Sequence, residues 1–110
     1  MAIQNMKPAE LKRRLDAGED IAVIDVRQDW ELEISNLEFA KQIVLTDLPL
    51  RAGEIPQDKP VIFVCRSGGR SMQAAEFFAV QGWPEENLYN LDGGILRWAR
   101  DVDPSLPKIY

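Results

Sequence analysis

Two apolar runs constrain the fold of this chain more than any other feature. They occupy residues 21–26, where Asp25 is the only interruption, and residues 61–65, and both are rich in β-branched side chains. A strand that is buried on both faces has this continuous pattern, which is typical of a parallel sheet covered by helices. The two runs therefore predict a parallel sheet inside an α/β fold.

Helical patterns alternate with strand patterns along the rest of the chain. We predict helices over residues 8–15, 29–34, 71–81 and 95–100, and two further strands over residues 42–45 and 88–91. Ser71 is expected to cap the third helix, and Gly82 is expected to end it. Strands that alternate with helices favour an α/β sandwich with a mostly parallel sheet.

Length and composition limit the classes of protein to be considered. The 110 residues fit one domain, residues 1–110, with an irregular tail over residues 101–110. One cysteine cannot close an intramolecular disulfide, and without histidine the chain cannot use Cys-His or Ser-His-Asp catalysis or the common zinc sites. The net charge of −5 disfavours nucleic acid as a partner. No apolar run could span a membrane, so we expect a cytoplasmic protein.

The loop that follows the second apolar run is the most informative segment. It consists of Cys65, Arg66, Ser67, Gly68, Gly69, Arg70 and Ser71. Open α/β sheets bind ligands at the carboxyl ends of their strands, and a short loop before a helix turns several N–H groups toward an anion. Gly68 and Gly69 can adopt the positive φ that such a turn demands. The segment therefore predicts an anion-binding loop around the cysteine.

Cys65 is expected to be the nucleophile of this loop. A free cysteine titrates near 8.5, whereas a helix N-terminus with cationic neighbours, here Arg66 and Arg70, brings the pKa to roughly 3.5–7.5. The simpler alternative is a small buried hydrophobe at the end of a core strand. Two glycines and two arginines in the next five positions favour the reactive thiol. Neither a P-loop pattern nor a G-x-G-x-x-G pattern occurs, which argues against a nucleotide site.

The loop resembles the active-site loop of the rhodanese domain. Further features agree with that family in order and spacing: Asp25-Val26-Arg27, Glu31, and Leu91-Asp92-Gly93-Gly94 followed by Trp98. The resemblance runs from about residue 3 to residue 98. It implies a stand-alone rhodanese-like α/β/α sandwich of three layers with a central, mostly parallel sheet of five strands.

The resemblance also implies a reaction. The Cys65 thiolate would take a sulfane sulfur from thiosulfate or a persulfide donor, hold it as a persulfide and pass it to cyanide or a thiol acceptor. The loop from Arg66 to Ser71 would bind the substrate, with Arg66 and Arg70 orienting the anionic donor and Arg70 also pairing with a carboxylate inside the fold. No metal or cofactor is implied. We expect a monomer, for which a thiol-bearing protein is a further candidate partner.

Three charged residues are candidates for structural support. Asp25 is interpreted as a buried acid at a strand end that pairs with an arginine, a structural rather than a catalytic role. Arg27 and Glu31 are interpreted as an internal salt bridge, with a plain surface pair as the alternative. Trp98 is most simply a core residue.

Two observations leave other functions open. Cysteine phosphatases resemble this loop but place five residues between cysteine and arginine, whereas four separate Cys65 from Arg70. A phosphatase or arsenate reductase is therefore the weaker alternative. Residues 36–40 depart from the rhodanese pattern, because Phe39 stands where relatives have a turn glycine and Val44 where they have proline. This departure motivates a second hypothesis, a sulfur carrier or anion-binding module that serves a partner without fast turnover.

Overall fold

A sheet of five strands forms the centre of the molecule. The computed structural model describes residues 3–110, so Met1 and Ala2, which the predicted domain includes, lie outside the described residues. The strands are β1 (Gln4–Met6), β2 (Ala22–Asp25), β3 (Lys41–Gln42), β4 (Val61–Val64) and β5 (Leu88–Leu91). Their order in the sheet is β1-β5-β4-β2-β3, and every neighbouring pair is parallel.

Within residues 3–110, five helices accompany the strands. They are α1 (Pro8–Asp16), α2 (Asp29–Ile34), α3 (Leu48–Arg51), α4 (Gly69–Val80) and α5 (Gly94–Asp101). Short 3₁₀ turns occupy Leu45–Asp47, Ala52–Glu54 and Glu85–Asn87. Among residues 3–110, no helix is long and apolar enough to cross a bilayer.

Each face of the sheet has its own apolar core, because successive side chains of a strand point to opposite faces. On one face, Ile62 and Val64 of β4 belong to a cluster with residues of α1 and α5, among them the buried Trp98. On the other face, Phe63 packs with residues of α4, and its ring stacks on Phe78 with centroids 5.6 Å apart. The predicted α/β/α sandwich is confirmed, and Trp98 is the core residue that the sequence predicted.

The predicted strand over residues 42–45 is wrong over most of its length. The regular strand ends at Gln42, and the chain winds into a 3₁₀ turn from Leu45. The backbone N–H groups of Ile43 and Leu45 donate to the carbonyl oxygens of Asp25 and Val26, at 3.0 and 3.1 Å. The segment therefore follows the edge of the sheet, but the turn at Leu45 ends the regular ladder.

β1 is a strand for which the sequence offered no signal. It has three residues, of which Gln4 and Asn5 are exposed and only Met6 is buried, so no apolar periodicity marks it. It pairs with β5 in a register that places Asn5 beside Asn90. The ladder with β5, rather than a hydrophobic pattern, defines this strand.

Candidate active site

Residues 65–68 form a tight turn between β4 and α4. Gly68 has a φ of 112° and precedes Gly69, the first residue of α4. Of the two glycines that could adopt a positive φ, only Gly68 does so, because Gly69 has already entered the helix. A single left-handed residue is therefore enough to turn the chain from the end of β4 into α4.

The sulfur of Cys65 lies against the N-terminus of α4. The backbone N–H of Gly68 donates to Sγ at 3.1 Å, and the Ser71 hydroxyl oxygen lies 3.2 Å from it. Burial raises the pKa of this thiol, but hydrogen bonds from the Ser71 side chain and from the N–H groups of Ser71, Gly68 and Ser67 outweigh it. The pKa of Cys65 therefore lies below its ordinary value, and no histidine is needed to favour the thiolate.

Ser71 does not cap α4, contrary to the prediction from the sequence. The helix begins two residues earlier, with Gly68 in the capping position, so Ser71 is the third helical residue. Its fully buried hydroxyl contacts the Cys65 sulfur on one side and the carboxamide oxygen of Asn90 on the other. Asn90 belongs to β5, and no motif in the sequence pointed to it.

The start of α5 packs directly on the backbone of the cysteine loop. Ile95 and Leu96 donate their N–H groups to the carbonyl oxygens of Cys65 and Arg66, at 2.9 and 3.2 Å. A Cβ on Gly94 would lie 2.4 Å from the Arg66 carbonyl oxygen, so only glycine permits this approach. The Gly93-Gly94 pair noted in the sequence thus explains how the loop carbonyls are held on the side of α5.

Arg70 makes a two-pronged ion pair with Glu31 of α2. Its two terminal nitrogens lie 2.7 Å from the two carboxylate oxygens. Glu31 also accepts hydrogen bonds from the N–H of Gln28 and the hydroxyl of Tyr110, both at 3.0 Å. The Arg70 side chain is the main cause that lowers the pKa of Glu31 to about 2. The predicted pairing of Arg70 with a carboxylate inside the fold is thus present in the structure.

The predicted salt bridge between Arg27 and Glu31 is wrong. Arg27 instead pairs with Asp25, with Nη2 at 2.8 Å and Nε at 2.9 Å from the carboxylate oxygens. Both side chains are almost completely buried. Glu31 has Arg70 as its partner, and Asp25 and Arg27 form a separate ion pair. This pairing is the one expected of Asp25 from its place at a strand end.

Tyr110 is a residue of this site that the sequence did not reveal. Its backbone carbonyl accepts a hydrogen bond from Nε of Arg66 at 2.7 Å, and the Arg66 guanidinium lies 5.4 Å from its ring centroid. Its hydroxyl accepts from Nη1 of Arg27 at 3.2 Å and donates to Glu31. The tail is irregular, as predicted, but its last residue packs against the active-site loop. A lone aromatic residue beyond two prolines carries no pattern from which this contact could be read.

Comparison with known proteins agrees with this geometry. The family model described as the rhodanese-like domain matches residues 7–101, which include the whole cysteine loop. The chain belongs to the rhodanese-like domain family. Its sequence is 36% identical over 98 residues to a protein named sulfurtransferase of Allochromatium vinosum, which covers 89% of this chain and 90% of that one.

Further relatives resemble this rhodanese-like domain over nearly their whole length. YtwF of Bacillus subtilis is 33% identical over 104 residues, covering 94% of this chain and 98% of that protein. The crystal structure of a rhodanese-related protein from Thermoplasma volcanium superimposes with a TM-score of 0.78 at 26% identity, covering 94% of this chain and 95% of that one. The relatives support a sulfur-transfer function of the rhodanese type.

Residues 36–40, which depart from the rhodanese pattern, form a turn without left-handed backbone. No residue other than glycine has a positive φ among the described residues 3–110, so the backbone of Phe39 is not strained. The N–H of Ala40 donates to the carbonyl of Leu37 at 3.0 Å, and the Phe39 ring packs on Trp98 with centroids 5.4 Å apart. The substitution therefore changes the surface beside Trp98 and leaves the cysteine loop intact.

The ion pair between Glu31 and Arg70 predicts acid sensitivity in this rhodanese-like domain. The pKa of Glu31 falls from about 4.5 in the unfolded chain to about 2 in the fold, so its contribution to stability is complete above pH 4.5 and disappears as pH falls toward 2. We expect Glu31→Gln to lower the free energy of unfolding by about 2 kcal/mol at pH 7, allowing for partial screening by water, and by much less near pH 2.5. Urea denaturation at both pH values measures the difference.

Glu54→Gln is the matched control for that experiment. The pKa of Glu54 is also lowered to about 2, with Arg51 as the main cause, but this pair is exposed to solvent. Exposed ion pairs contribute little to stability. If Glu54→Gln lost as much stability as Glu31→Gln, burial of the Glu31 carboxylate would not be the reason for its larger expected contribution.

Proposed function

We propose that this protein is a sulfurtransferase that carries sulfane sulfur as a persulfide on Cys65. The donor is thiosulfate or another small anionic sulfur compound, or a persulfide, and the acceptor is cyanide or a thiol. The observation that carries the proposal is the hydrogen-bonded, buried sulfur at the N-terminus of α4, which favours a thiolate without histidine. Membership of the rhodanese-like family supports the same reaction.

The proposed cycle exchanges one sulfur atom and needs no external oxidant or reductant. The Cys65 thiolate attacks the outer sulfur of thiosulfate, a new S–S bond forms, and sulfite leaves with the electron pair of the bond that breaks. Cyanide then attacks the outer sulfur of the persulfide, so thiocyanate departs and the thiolate is restored. With a thiolate acceptor, the product is the persulfide of that acceptor. In the proposed cycle, loop N–H groups between Arg66 and Ser71 stabilise the negative outer sulfur.

The two arginines of the loop are proposed to contribute unequally to donor binding. Arg70 is compensated by Glu31, so its positive charge is largely balanced within the fold. Among the described residues 3–110, no side-chain carboxylate pairs with Arg66, whose exposed side chain contacts the backbone oxygen and the ring of Tyr110. Arg66 therefore keeps its positive charge for an incoming anion, and Arg70 chiefly shapes the loop.

The atypical residues 36–40 motivate one competing function. It is a sulfur carrier or anion-binding module that serves a partner protein without fast turnover, with the sulfur held on Cys65, which is only 1% exposed. Phosphate chemistry remains disfavoured, because only four residues separate Cys65 from Arg70.

Intact mass spectrometry tests the proposal directly. After exposure to thiosulfate, the natural chain is expected to gain one sulfur atom, and cyanide is expected to remove it with formation of thiocyanate. Cys65→Ser, which keeps the shape of the side chain, should gain nothing. Absence of loading on the natural chain would overturn the proposal. Loading that only a thiol-bearing protein, and not cyanide, can remove would favour the carrier.

A further inference from the structure

A line of polar side chains leads from the reactive sulfur across the sheet to the surface. Ser71 Oγ lies 3.2 Å from Cys65 Sγ and is hydrogen-bonded to Oδ1 of Asn90. Nδ2 of Asn90 donates to Oδ1 of Asn5 at 3.0 Å. Ser71 and Asn90 are buried, whereas Asn5 is exposed on β1 in register with Asn90. The line therefore begins at the nucleophile and ends at solvent.

The hydrogen bonds at the two ends of this line depend on each other, because few protons are available to make them. Ser71 has a single hydroxyl proton, which it can give to only one neighbour. When that proton goes to Oδ1 of Asn90, the neutral thiol of Cys65 can donate to Ser71. When Cys65 is a thiolate, the sulfur only accepts, so Ser71 must turn its proton to the sulfur. Two oxygens would then face each other between Ser71 and Asn90 without a proton.

Asn90 can remove that conflict because a carboxamide both donates and accepts. If its amide group turns over, Nδ2 donates to Ser71 and Oδ1 faces Asn5. Asn5 is exposed and lies at a shallow cleft with Gln4 and Tyr89, so its own amide is free to turn and donate. Every buried polar group then keeps a partner in both protonation states, as a buried network requires.

We propose that Asn90 is a positioning residue for Cys65, whose carboxamide reverses direction when the thiol ionises and so lets Ser71 donate its proton to the sulfur. Its relevance to catalysis rests on the proposed function, but the coupling itself does not. Asn5 is the outer partner of Asn90: it accepts a hydrogen bond from Asn90 when Cys65 is a thiol, and it donates one to Asn90 when Cys65 is a thiolate.

The charged groups that face Cys65 are the same in both states of the line. Arg70 of α4 interacts electrostatically with Cys65 and is paired with Glu31 of α2. Arg66 belongs to the same loop as Cys65, and Tyr110 from the tail contacts both Arg66 and Glu31. Substitutions on β1 change none of them. The outer end of the line therefore offers a test that does not disturb the active site.

Asn5→Asp is the decisive variant. A carboxylate at residue 5 can only accept a hydrogen bond, so it holds Asn90 in the direction that takes the Ser71 proton away from the sulfur. We expect the ionisation constant of the Cys65 thiol to fall about fivefold, the scale of one hydrogen bond. The ultraviolet absorbance of the thiolate, followed against pH, measures it; Cys65 is the one thiol of the chain, and the titration of Cys65→Ser gives the contribution of its two tyrosines for subtraction.

Two controls separate the polar line from simple charge repulsion. Gln4→Glu adds the same charge to the neighbouring exposed residue of β1 and should leave the thiol titration unchanged. Asn90→Leu removes the link, so Asn5→Asp should have no effect in that background. The inference would be overturned if Gln4→Glu shifted the thiol titration as much as Asn5→Asp does. It would also be overturned if Asn5→Asp still shifted the titration in the Asn90→Leu background, or if Asn5→Asp alone had no effect.

Urea midpoints verify that each variant is folded, and exposed Asn5 makes loss of the fold by the decisive substitution unexpected. No sulfur donor enters the titration. If Asn5→Asp shifted the thiol titration but the natural chain did not load sulfur from thiosulfate, the inference would stand and the proposed function would be refuted. If the chain loaded sulfur but the titration did not shift, the proposed function would stand and the inference would be refuted.

Discussion

Gly94→Ala is expected to slow sulfur transfer by about 100-fold. The new Cβ would lie 2.4 Å from the carbonyl oxygen of Arg66 and 2.6 Å from that of Cys65. These two oxygens accept hydrogen bonds from the N–H groups of Ile95 and Leu96 in the first turn of α5. Because the new Cβ would clash with both oxygens, α5 and the loop would have to move apart. The loop would carry the sulfur with it, and a displacement on the order of 1 Å costs about 100-fold in rate. Initial rates of thiocyanate formation measure the effect.

Gly18→Ala is the matched control for this substitution. Gly18 has a φ of +82°, similar to the +62° of Gly94, but a Cβ there would meet nothing within 4 Å. Gly18→Ala should therefore lower the free energy of unfolding by roughly 1–2 kcal/mol, the cost of alanine in a left-handed conformation, without causing a clash. We expect its transfer rate to be unchanged. A normal rate in Gly94→Ala would show that α5 does not determine the position of the loop.

Arg27→Met is expected to lower the free energy of unfolding by about 3–5 kcal/mol, because it leaves a buried carboxylate without its cation. The Arg27 side chain is fully buried and donates to both oxygens of Asp25 and to the backbone carbonyl of Ser35. Such a loss is a large part of the roughly 5–15 kcal/mol typical of a domain. Urea denaturation at pH 7 measures it.

A double substitution distinguishes the buried charge from lost packing. Asp25→Leu combined with Arg27→Met removes both charges and keeps much of the volume, so it should recover most of the stability lost by Arg27→Met alone. If the double variant were as unstable as the sum of its single variants, the stranded carboxylate would not be the cause. Arg27→Lys keeps the charge without the two-pronged geometry and should fall between the natural chain and Arg27→Met.

The central strands and the cysteine loop that follows β4 were predictable because their signals are local. The buried strands β2 and β4 appear as apolar runs, and the glycines and arginines that follow Cys65 predict a reactive thiol from neighbouring residues alone. β1 was not predictable, since its three residues include exposed Gln4 and Asn5, and its place depends on pairing with β5.

The pairing of charges could not be predicted from spacing. Arg27 and Glu31 are four residues apart, which suggests a local salt bridge, yet each has a different partner. The partner of Glu31 is Arg70, 39 positions further along the chain, and Asp25 is only two positions from Arg27. Sequence distance does not determine which guanidinium reaches which carboxylate once helices and strands are packed.

By itself, the sequence determined the class of fold and predicted where the cysteine loop lies and that Cys65 is its nucleophile, because hydrophobic periodicity and loop chemistry act between near neighbours. Only the tertiary structure decided what surrounds that sulfur. Asn90 reaches it from β5 through Ser71, and α5 holds the loop backbone through the close approach at Gly94. These contacts join residues far apart in the chain, and they exist only because a parallel sheet brings the ends of its strands to one edge.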